Sequence, residues 1–411
     1  MIKTLNNCQF SKKKDLVEII NLGKFVLVNN FQKNKKKSLS QRKYPLKLMF
    51  SKKSKLIQIN CILPKEILFP KRYPYTSSTT KILRDNFVQL SKQIKKKIKL
   101  NSKDVVMDIG CNDGSLLKNF LGTSCTLGVS PENIIKNAKK LGINTIQAYF
   151  DNKTVKKIKK KFDKIKVITA TNSFAHINHA NELVGNIKKL LDNDGIFISE
   201  SHYADAVING MQYDSIYHEH LRYYSLSSLN FILKKHKLKI FDCDMIKPHG
   251  GSIRVFCSHE KNKKFKVNKK KINKIFQYEK KNLNISSFKQ YKEKVEKNRD
   301  DISKLLKKLH NMKKTVYGLG APSRASTLIN YNSLNSKLIQ NVLEVSGSHK
   351  INKYMPGTDI KVIHENSGLY KKPDYLFVFS WHIAKELIKS LKKKGFKGKF
   401  IIPLPRMKIA K

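Results

Sequence analysis

Apolar residues along this chain keep three successive rhythms. Up to about residue 72 they form short, strand-like runs broken by lysines. Ile82, Phe87, Leu90, Ile94 and Ile98 then keep helical spacing. From Val105 strand-like and helix-like stretches alternate. Val105–Ile109, Cys125–Val129, Val167–Thr171 and Gly195–Ser199 read as strands, with Ala180–Leu191 as a helix between the last two. Such alternation predicts an α/β fold with a parallel, doubly wound sheet, and residues 253–257 read as its closing strand. Residues 259–284 are lysine-rich and carry little pattern. Phe288, Tyr291, Val295, Ile302, Leu305 and Leu309 form a helical stripe, interrupted near Arg299. A second strand–turn–helix begins at Thr315, followed by strands at Leu376–Phe379 and Phe400–Ile402 and a helix from Ala384 to Lys394. Four units are expected: 1–72, an α/β domain over 73–258, a lysine-rich helical connector over 259–310, and a second α/β domain over 311–411.

The first α/β unit opens on Val105-Val106-Met107-Asp108-Ile109-Gly110-Cys111-Asn112-Asp113-Gly114-Ser115. An apolar run ends in an acid, breaks into a Gly-x-x-x-Gly loop, and is followed by an amphipathic segment, Leu116 to Phe120, read as a helix start. Glycines let the backbone turn and a ligand approach closely, and a helix start offers free N–H groups. The loop lacks the Gly-Lys-Ser/Thr of a P-loop and the third glycine of a dinucleotide fingerprint. It resembles the first motif of S-adenosylmethionine (SAM)-dependent methyltransferases, in which Asp108 and the loop would face the methionine end of the cofactor.

Charge changes the picture less than its size suggests. The 411 residues carry a formal net charge of +54, which raises nucleic acid or an anionic membrane as partners. The lysines run from end to end with little arginine and no interleaved aromatic pattern. They read as solvated faces, and neither partner is expected. Six cysteines, at 8, 61, 111, 125, 243 and 257, show no paired spacing, no apolar leader opens the chain, and no stretch reaches membrane-span length. A cytoplasmic protein with free thiols is expected.

Five stretches now stand in one order. They are Tyr73-Pro74-Tyr75 with Ser77-Ser78, Asp108 to Gly114, Tyr217-His218-Glu219-His220, His249-Gly250-Gly251-Ser252-Ile253-Arg254, and Gly318-Leu319-Gly320-Ala321-Pro322-Ser323-Arg324. Together, over nearly the whole chain, they resemble the sugar C-methyltransferases, which methylate a carbon of a nucleotide-linked 4-keto-deoxysugar. The resemblance implies an N-terminal zinc-binding module, a central SAM-binding domain and a C-terminal Rossmann-like domain.

Carbon methylation beside a ketone needs a base for the proton and a donor for the enolate. Histidine titrates near neutrality and suits the first task; a tyrosine hydroxyl suits the second. By resemblance His220 is the base, Tyr217 a partner at the substrate and Glu219 an orienting carboxylate, with no separate role for His218. Asn172 and His176 leave a predicted strand at its carboxyl end, where open parallel sheets bind ligands, and so belong near the cofactor or substrate. Asp108, Gly110, Asn112, Asp113, Gly114, Ser130 and Asn172 are the candidate cofactor residues. Tyr75, Ser77, Ser78, His249, Gly250, Gly251, Ser323 and Arg324 are the candidate substrate residues. His249-Gly250-Gly251 would be a close-approach loop, and Arg254 a strand residue. Ser323 and Arg324, at a helix start, suit a nucleotide diphosphate. An NAD site in the same place is disfavoured, because no acid is seen after a second strand and the glycine pattern is incomplete.

Two departures from the family stand out. Its zinc module uses two Cys-x-x-Cys pairs, where this chain reads Cys8-Gln9-Phe10-Ser11 and Ser51-Lys52-Lys53-Ser54. With one thiolate of four, no metal is expected there. After the second strand methyltransferases place an acid on the cofactor's ribose; this chain has Ser130, with Glu132 two positions on behind a proline. A weaker grip on SAM is the expectation. The rival readings are a degenerate relative that binds a nucleotide sugar without methylating it, and an ordinary O- or N-methyltransferase.

Overall fold

A computed structural model describes residues 3–70 and 76–411. Near the N-terminus, β1 (Leu16–Phe25), β2 (Tyr44–Ser51) and β3 (Ile57–Ile59) pair antiparallel. In β2 Tyr44, Leu46, Leu48 and Phe50 are buried while Pro45, Lys47 and Met49 between them are half-buried, the period-two signature of a strand with one face on a core. Helix α1 (Lys81–Lys97) then buries Leu83, Phe87, Leu90 and Ile94.

The central unit follows with β4 (Val105–Ile109), β5 (Cys125–Ser130), β6 (Asn144–Gln147), β7 (Ile165–Thr171), α2 (Ala180–Leu190) and β8 (Leu191–His202). After these come β9 (Arg222–Tyr223), α3 (Leu226–Lys235), β10 (Leu238–Ile246) and β11 (Ser252–His259). Seven strands form one sheet in the order β10–β11–β8–β7–β4–β5–β6. Every residue of β4 is buried, as a strand covered on both faces should be. The closing strand expected at 253–257 is β11, and it runs antiparallel to both neighbours, so the sheet is parallel only from β8 to β6.

Strand β9 does not join this sheet. It pairs with β3, Arg222 opposite Gln58 and Tyr223 opposite Ile57, and so becomes the fourth strand of the N-terminal sheet. Residues 259–284, which carried little pattern, contain helix α4 (Lys269–Asn282). It fully buries only Ile272 and Glu279, so it offered no apolar stripe to see. Glu279 instead caps α3, accepting from Leu226 N at 2.6 Å and Ser227 N at 2.9 Å. Helix α5 (Ile285–Asn311) runs unbroken through Arg299. The gap in its stripe is the buried Asn298, which accepts from Tyr213 Oη at 2.8 Å and donates to Pro403 O at 2.9 Å.

The C-terminal sheet comprises β12 (Val316–Leu319), β13 (Asn341–Glu344), β14 (Lys361–His364), β15 (Tyr375–Val378), β16 (Lys399–Ile402) and β17 (Lys408–Ala410), with helix α6 (Ser323–Tyr331) after β12. Its order is β14–β13–β12–β15–β16–β17, and all but β17 are parallel. The sequence reading missed the acid at the end of β13. Glu344 accepts the N–H of Ala321, in the loop after β12, at 3.0 Å. Among the described residues no helix is long and apolar enough to cross a membrane.

Both sheets reverse their winding beside the first strand of their unit, between β4 and β7 and between β12 and β15. Ligands of open α/β sheets bind at such a point. A continuous core spans the units, joining Leu48 and Phe50 of β2, Tyr213 and Tyr223, Phe288 and Val295 of α5, and Phe377 of β15.

Candidate functional site

Asp108, one residue before the end of β4, is almost fully buried and accepts the hydroxyl of Thr169, on β7, at 2.6 Å. Burial pushes its carboxyl up to about 7; the Thr169 hydrogen bond pulls it down and the charge of Glu200 pushes it further up. Gly110 follows with φ of 79°. A Cβ there would lie 2.6 Å from Cβ of Ser173, in the turn after β7, so only glycine lets the two loops meet across the switch point. Asn172 beside it has φ of 55° and donates its N–H to Glu200 O at 2.7 Å.

The rest of the loop is knitted to the segment before α1. Asn112 Oδ1 accepts Ser77 N at 2.9 Å, and Asp113 accepts Ser78 N at 3.0 Å and Ser115 N at 3.1 Å. Ser77 and Ser78, expected at the substrate, thus touch the glycine loop through their backbone. Tyr75 lies outside the described residues. The helix start expected at Leu116–Phe120 is only a 3-10 turn, Leu117–Phe120, because Gly122 turns the chain at once towards β5. Gly114 closes the loop with φ of 81°.

At the end of β5 the buried Ser130 hydroxyl donates to the carboxylate of Glu132. The intervening Pro131 does not keep them apart. An acid therefore reaches the strand end that sequence reading had left to a neutral serine.

Histidines dominate the space beyond β7 and β8. His220 Nδ1 donates to Ser215 O at 2.9 Å, so Nε2 holds the lone pair and accepts Tyr217 Oη–H at 3.0 Å. His176 Nδ1 donates to Glu219 O at 2.6 Å, and its ring centroid stands 5.1 Å from that of His220. Burial holds His220 well below the usual histidine range, and the neighbouring charges of His176 and His202 lower it further. His176 and His202 are lowered too, chiefly by burial, and His249 falls to about 4. Among the described residues the Nε2 atoms of His202 and His249 are buried without a hydrogen-bond partner. His218 is turned away: its Nε2 meets Pro45 O at 3.2 Å and its ring lies edge-on to Tyr44.

His249 has φ of 59°, the left-handed region. Gly250 follows, and a Cβ there would meet the Gln212 amide at 2.8 Å. Gln212 Nε2 donates to Gly250 O at 2.7 Å, and its Oε1 accepts Arg324 Nη2 at 3.0 Å. Gly251, φ 123°, seats against Ala206. Arg324 also stands 3.4 Å from the buried carboxylate of Asp214, which accepts Trp381 Nε1 at 2.7 Å. The C-terminal domain thus brings Arg324 to the histidine cluster already oriented.

Residues 8–69 match a family model described as a putative zinc binding domain, 77–241 a methyltransferase domain, and 247–405 a C-methyltransferase C-terminal domain. A C-methyltransferase, NovU, of Streptomyces niveus is 25% identical, aligned over 100% of this chain and 98% of its own length. The chain belongs to the SAM-dependent C-methyltransferases. Among solved structures, a SAM-dependent methyltransferase of Clostridium acetobutylicum matches 44% of this chain and 93% of its own, at 14% identity and a TM-score of 0.35. A putative methyltransferase from a Haloferax volcanii complex with the activator Trm112 matches 43% and 92%, at 12% identity and a TM-score of 0.35.

In this C-methyltransferase three of the four positions of the zinc module, Cys8, Ser51 and Ser54, still meet through their side chains, while the Ser11 hydroxyl accepts Lys13 N at 3.3 Å. Cys8 Sγ lies 3.0 Å from Ser54 Oγ, which donates to Ser51 Oγ at 2.9 Å; Ser51 Oγ in turn donates to Asp15 at 2.7 Å. Phe10 N and Ser11 N point at Cys8 Sγ from 3.3 and 3.4 Å. A hydrogen-bond chain occupies the place of a metal tetrahedron, and one thiolate with three hydroxyls does not fit structural zinc.

Sequence reading missed three residues of the site. Among the described residues the buried Arg222 has no carboxylate partner; its guanidinium gathers the carbonyls of Phe174, Ile177 and Asn178 and the amide oxygen of Gln9, and so holds the loop that carries His176. Gln212 lies just ahead of the Tyr-His-Glu-His stretch but matches no motif. Asn29 donates to Glu219 Oε1 at 2.9 Å from a segment with no pattern at all. Arg254, read as a strand residue, is one: it pairs with Glu200 at 2.8 Å, both fully buried, and with Asn86 at 2.7 Å.

Proposed function

We propose that this C-methyltransferase methylates a carbon next to the ketone of a nucleotide-diphosphate-linked 4-keto-deoxysugar, with His220 as the base. The observation that carries the reading is the tautomer of His220. A carbonyl can only accept, so Ser215 O holds the proton on Nδ1 and leaves Nε2 as the basic atom. Burial keeps the ring neutral at neutral pH and therefore ready to receive a proton.

The proton next to the ketone moves to His220 Nε2, and its electron pair passes into the enolate. Tyr217, displaced from Nε2 by the substrate, donates its hydroxyl to the enolate oxygen. His176, anchored on Glu219 O, lines the same space. SAM supplies an electrophilic methyl group to the enolate carbon. Asp108, Gly110, Asn112, Asp113, Gly114 and Asn172 would hold its methionine end, and the Ser130–Glu132 pair its ribose. That pair favours an active enzyme over a degenerate binder. Arg324, Ser323 and the His249-Gly250-Gly251 loop would hold the diphosphate, and the N-terminal module works without zinc.

The test is hydrogen–deuterium exchange at the sugar carbon in deuterated water, followed by labelled-methyl transfer from SAM. His220→Ala should abolish both. Exchange that survives in the variant removes His220 as base; transfer of the label to oxygen or nitrogen removes the carbon-methylation reading.

A further inference from the structure

The side-chain amide of Asn29 joins Glu219 to the N-terminal module and to the C-terminal domain. Asn29 Nδ2 donates to Glu219 Oε1 at 2.9 Å across 190 residues of sequence, and Asn29 Oδ1 accepts the hydroxyl of Ser323 at 2.7 Å across 294. The two partners fix the orientation of the amide: a carboxylate only accepts, so the nitrogen must face Glu219 and the oxygen Ser323. Glu219 is buried at 5% exposure, where a carboxylate needs donors. Its backbone carbonyl holds His176, and its chain neighbour is His220. Ser323 is the first residue of α6, one residue before Arg324.

We propose that Asn29 is a positioning residue of the active site, orienting the Glu219 carboxylate and coupling it to the start of α6, and that supplying this amide is the catalytic contribution of the N-terminal module. The assignment rests on the proposed function for the role of Glu219, but the hydrogen-bond relay stands without it. A neutral amide suits the task. It satisfies the carboxylate while leaving its negative charge available, where a lysine would neutralise it. The chain beside Asn29 is held by Asn30 N–H on Leu27 O at 3.2 Å, by Gln41 Nε2 on Asn30 O at 2.7 Å, and by Tyr354 N–H of the C-terminal domain on Gln32 O at 2.8 Å.

The experiment uses the full chain, with SAM and UDP- or dTDP-linked 4-keto-deoxysugars as probes. Asn29→Ala should lower kcat tenfold or more while SAM affinity stays within twofold, and Ser323→Ala should lower it less. At saturating sugar nucleotide, Ser323→Ala should leave kcat unchanged in the Asn29→Ala background, because the relay is already broken, and any loss of diphosphate binding falls on KM. Asn29→Asp faces Glu219 with a second carboxylate, and two carboxylates sharing a site resist ionising together. Its activity should fall as pH rises, whereas the loss in Asn29→Ala should be the same at every pH. Equal losses in Asn29→Ala and Asn29→Asp at all pH values, or full additivity with Ser323→Ala, would overturn the proposal.

If the unaltered enzyme acts on none of the probes, it is the sugar reading that fails. The relay is then judged by the side-chain amide resonance of Asn29, assigned by its loss in Asn29→Ala. Glu219→Gln and Ser323→Ala should each shift it and speed its hydrogen exchange at least tenfold. An unmoved resonance would overturn the relay, and it is also the deciding readout if Asn29→Asp does not fold.

Discussion

His220 donates its Nδ1 proton to the carbonyl of Ser215, five residues earlier, and this one bond decides which face of the ring is basic. Replacing His220 by Gln should leave the fold intact and lower methyl transfer by a hundredfold or more, the order expected of a lost general base. Tyr217→Phe should be milder, about tenfold, and visible in methyl transfer more than in SAM binding. Steady-state rates beside a SAM titration check both; a Tyr217→Phe enzyme with full activity would exclude the hydroxyl from the enolate.

Acid should unfold this protein through its histidines. His176, His202, His218, His220 and His249 all sit below the ordinary histidine value, chiefly because burial disfavours the charged ring, His218 and His249 at about 4. The unfolded chain binds protons that the folded one refuses. Their contribution is therefore complete above about pH 6.5 and is lost as pH falls towards 4, by about 1 kcal/mol per pH unit for each histidine. Thermal melts from pH 7.5 to 4.5 should show Tm falling steeply below 6.5. A flat profile would mean that the histidines are not buried neutral.

Glu132→Gln should weaken SAM binding by about 1–2 kcal/mol, roughly five- to thirtyfold, since a charge-assisted acceptor becomes a neutral one. Ser130→Ala should cost less, because the hydroxyl only orients Glu132. Calorimetry with SAM distinguishes them; equal affinities in both variants and the parent would remove the pair from the ribose.

The buried pair Arg254–Glu200 should matter for stability rather than chemistry. Arg254→Met leaves Glu200 buried and uncompensated at 0% exposure, with about 3–5 kcal/mol of destabilisation expected. Urea unfolding measures it, and the double change with Glu200→Gln should recover part of the loss.

The N-terminal module should bind no zinc as it stands and should regain it on reversal. Ser11→Cys, Ser51→Cys and Ser54→Cys together restore four thiolates around positions that already converge on Cys8. One zinc per chain and a raised Tm are expected of that variant. Stoichiometric zinc in the unaltered protein would contradict the reading.

What could be read from sequence was whatever depends on local pattern. The apolar runs at Val105–Ile109 and Val167–Thr171 mark their strands, the second beginning two residues earlier in the structure, and the glycines after the first mark its turn. The misses are of another kind. Helix α4 turns almost no apolar side chain inward, so its burial depends on Glu279 finding α3. Asn298 hides a helical stripe because a polar residue fills an apolar position and satisfies itself across domains. Arg222 and Asn29 act by reaching non-neighbours, and no spacing records where a side chain ends.

The pairing of β9 with β3 also orders events in time. Leu16–Ile59 leaves the ribosome first, but its sheet gains a fourth strand only when Arg222–Tyr223 appears, after the central sheet up to β8 has been made. Until then β3 presents an open edge, the kind of surface that invites chaperones or a second chain. The module is translated before the central domain and closes its sheet only after most of that domain has emerged, so its assembly and that of the buried histidine cluster become a single event.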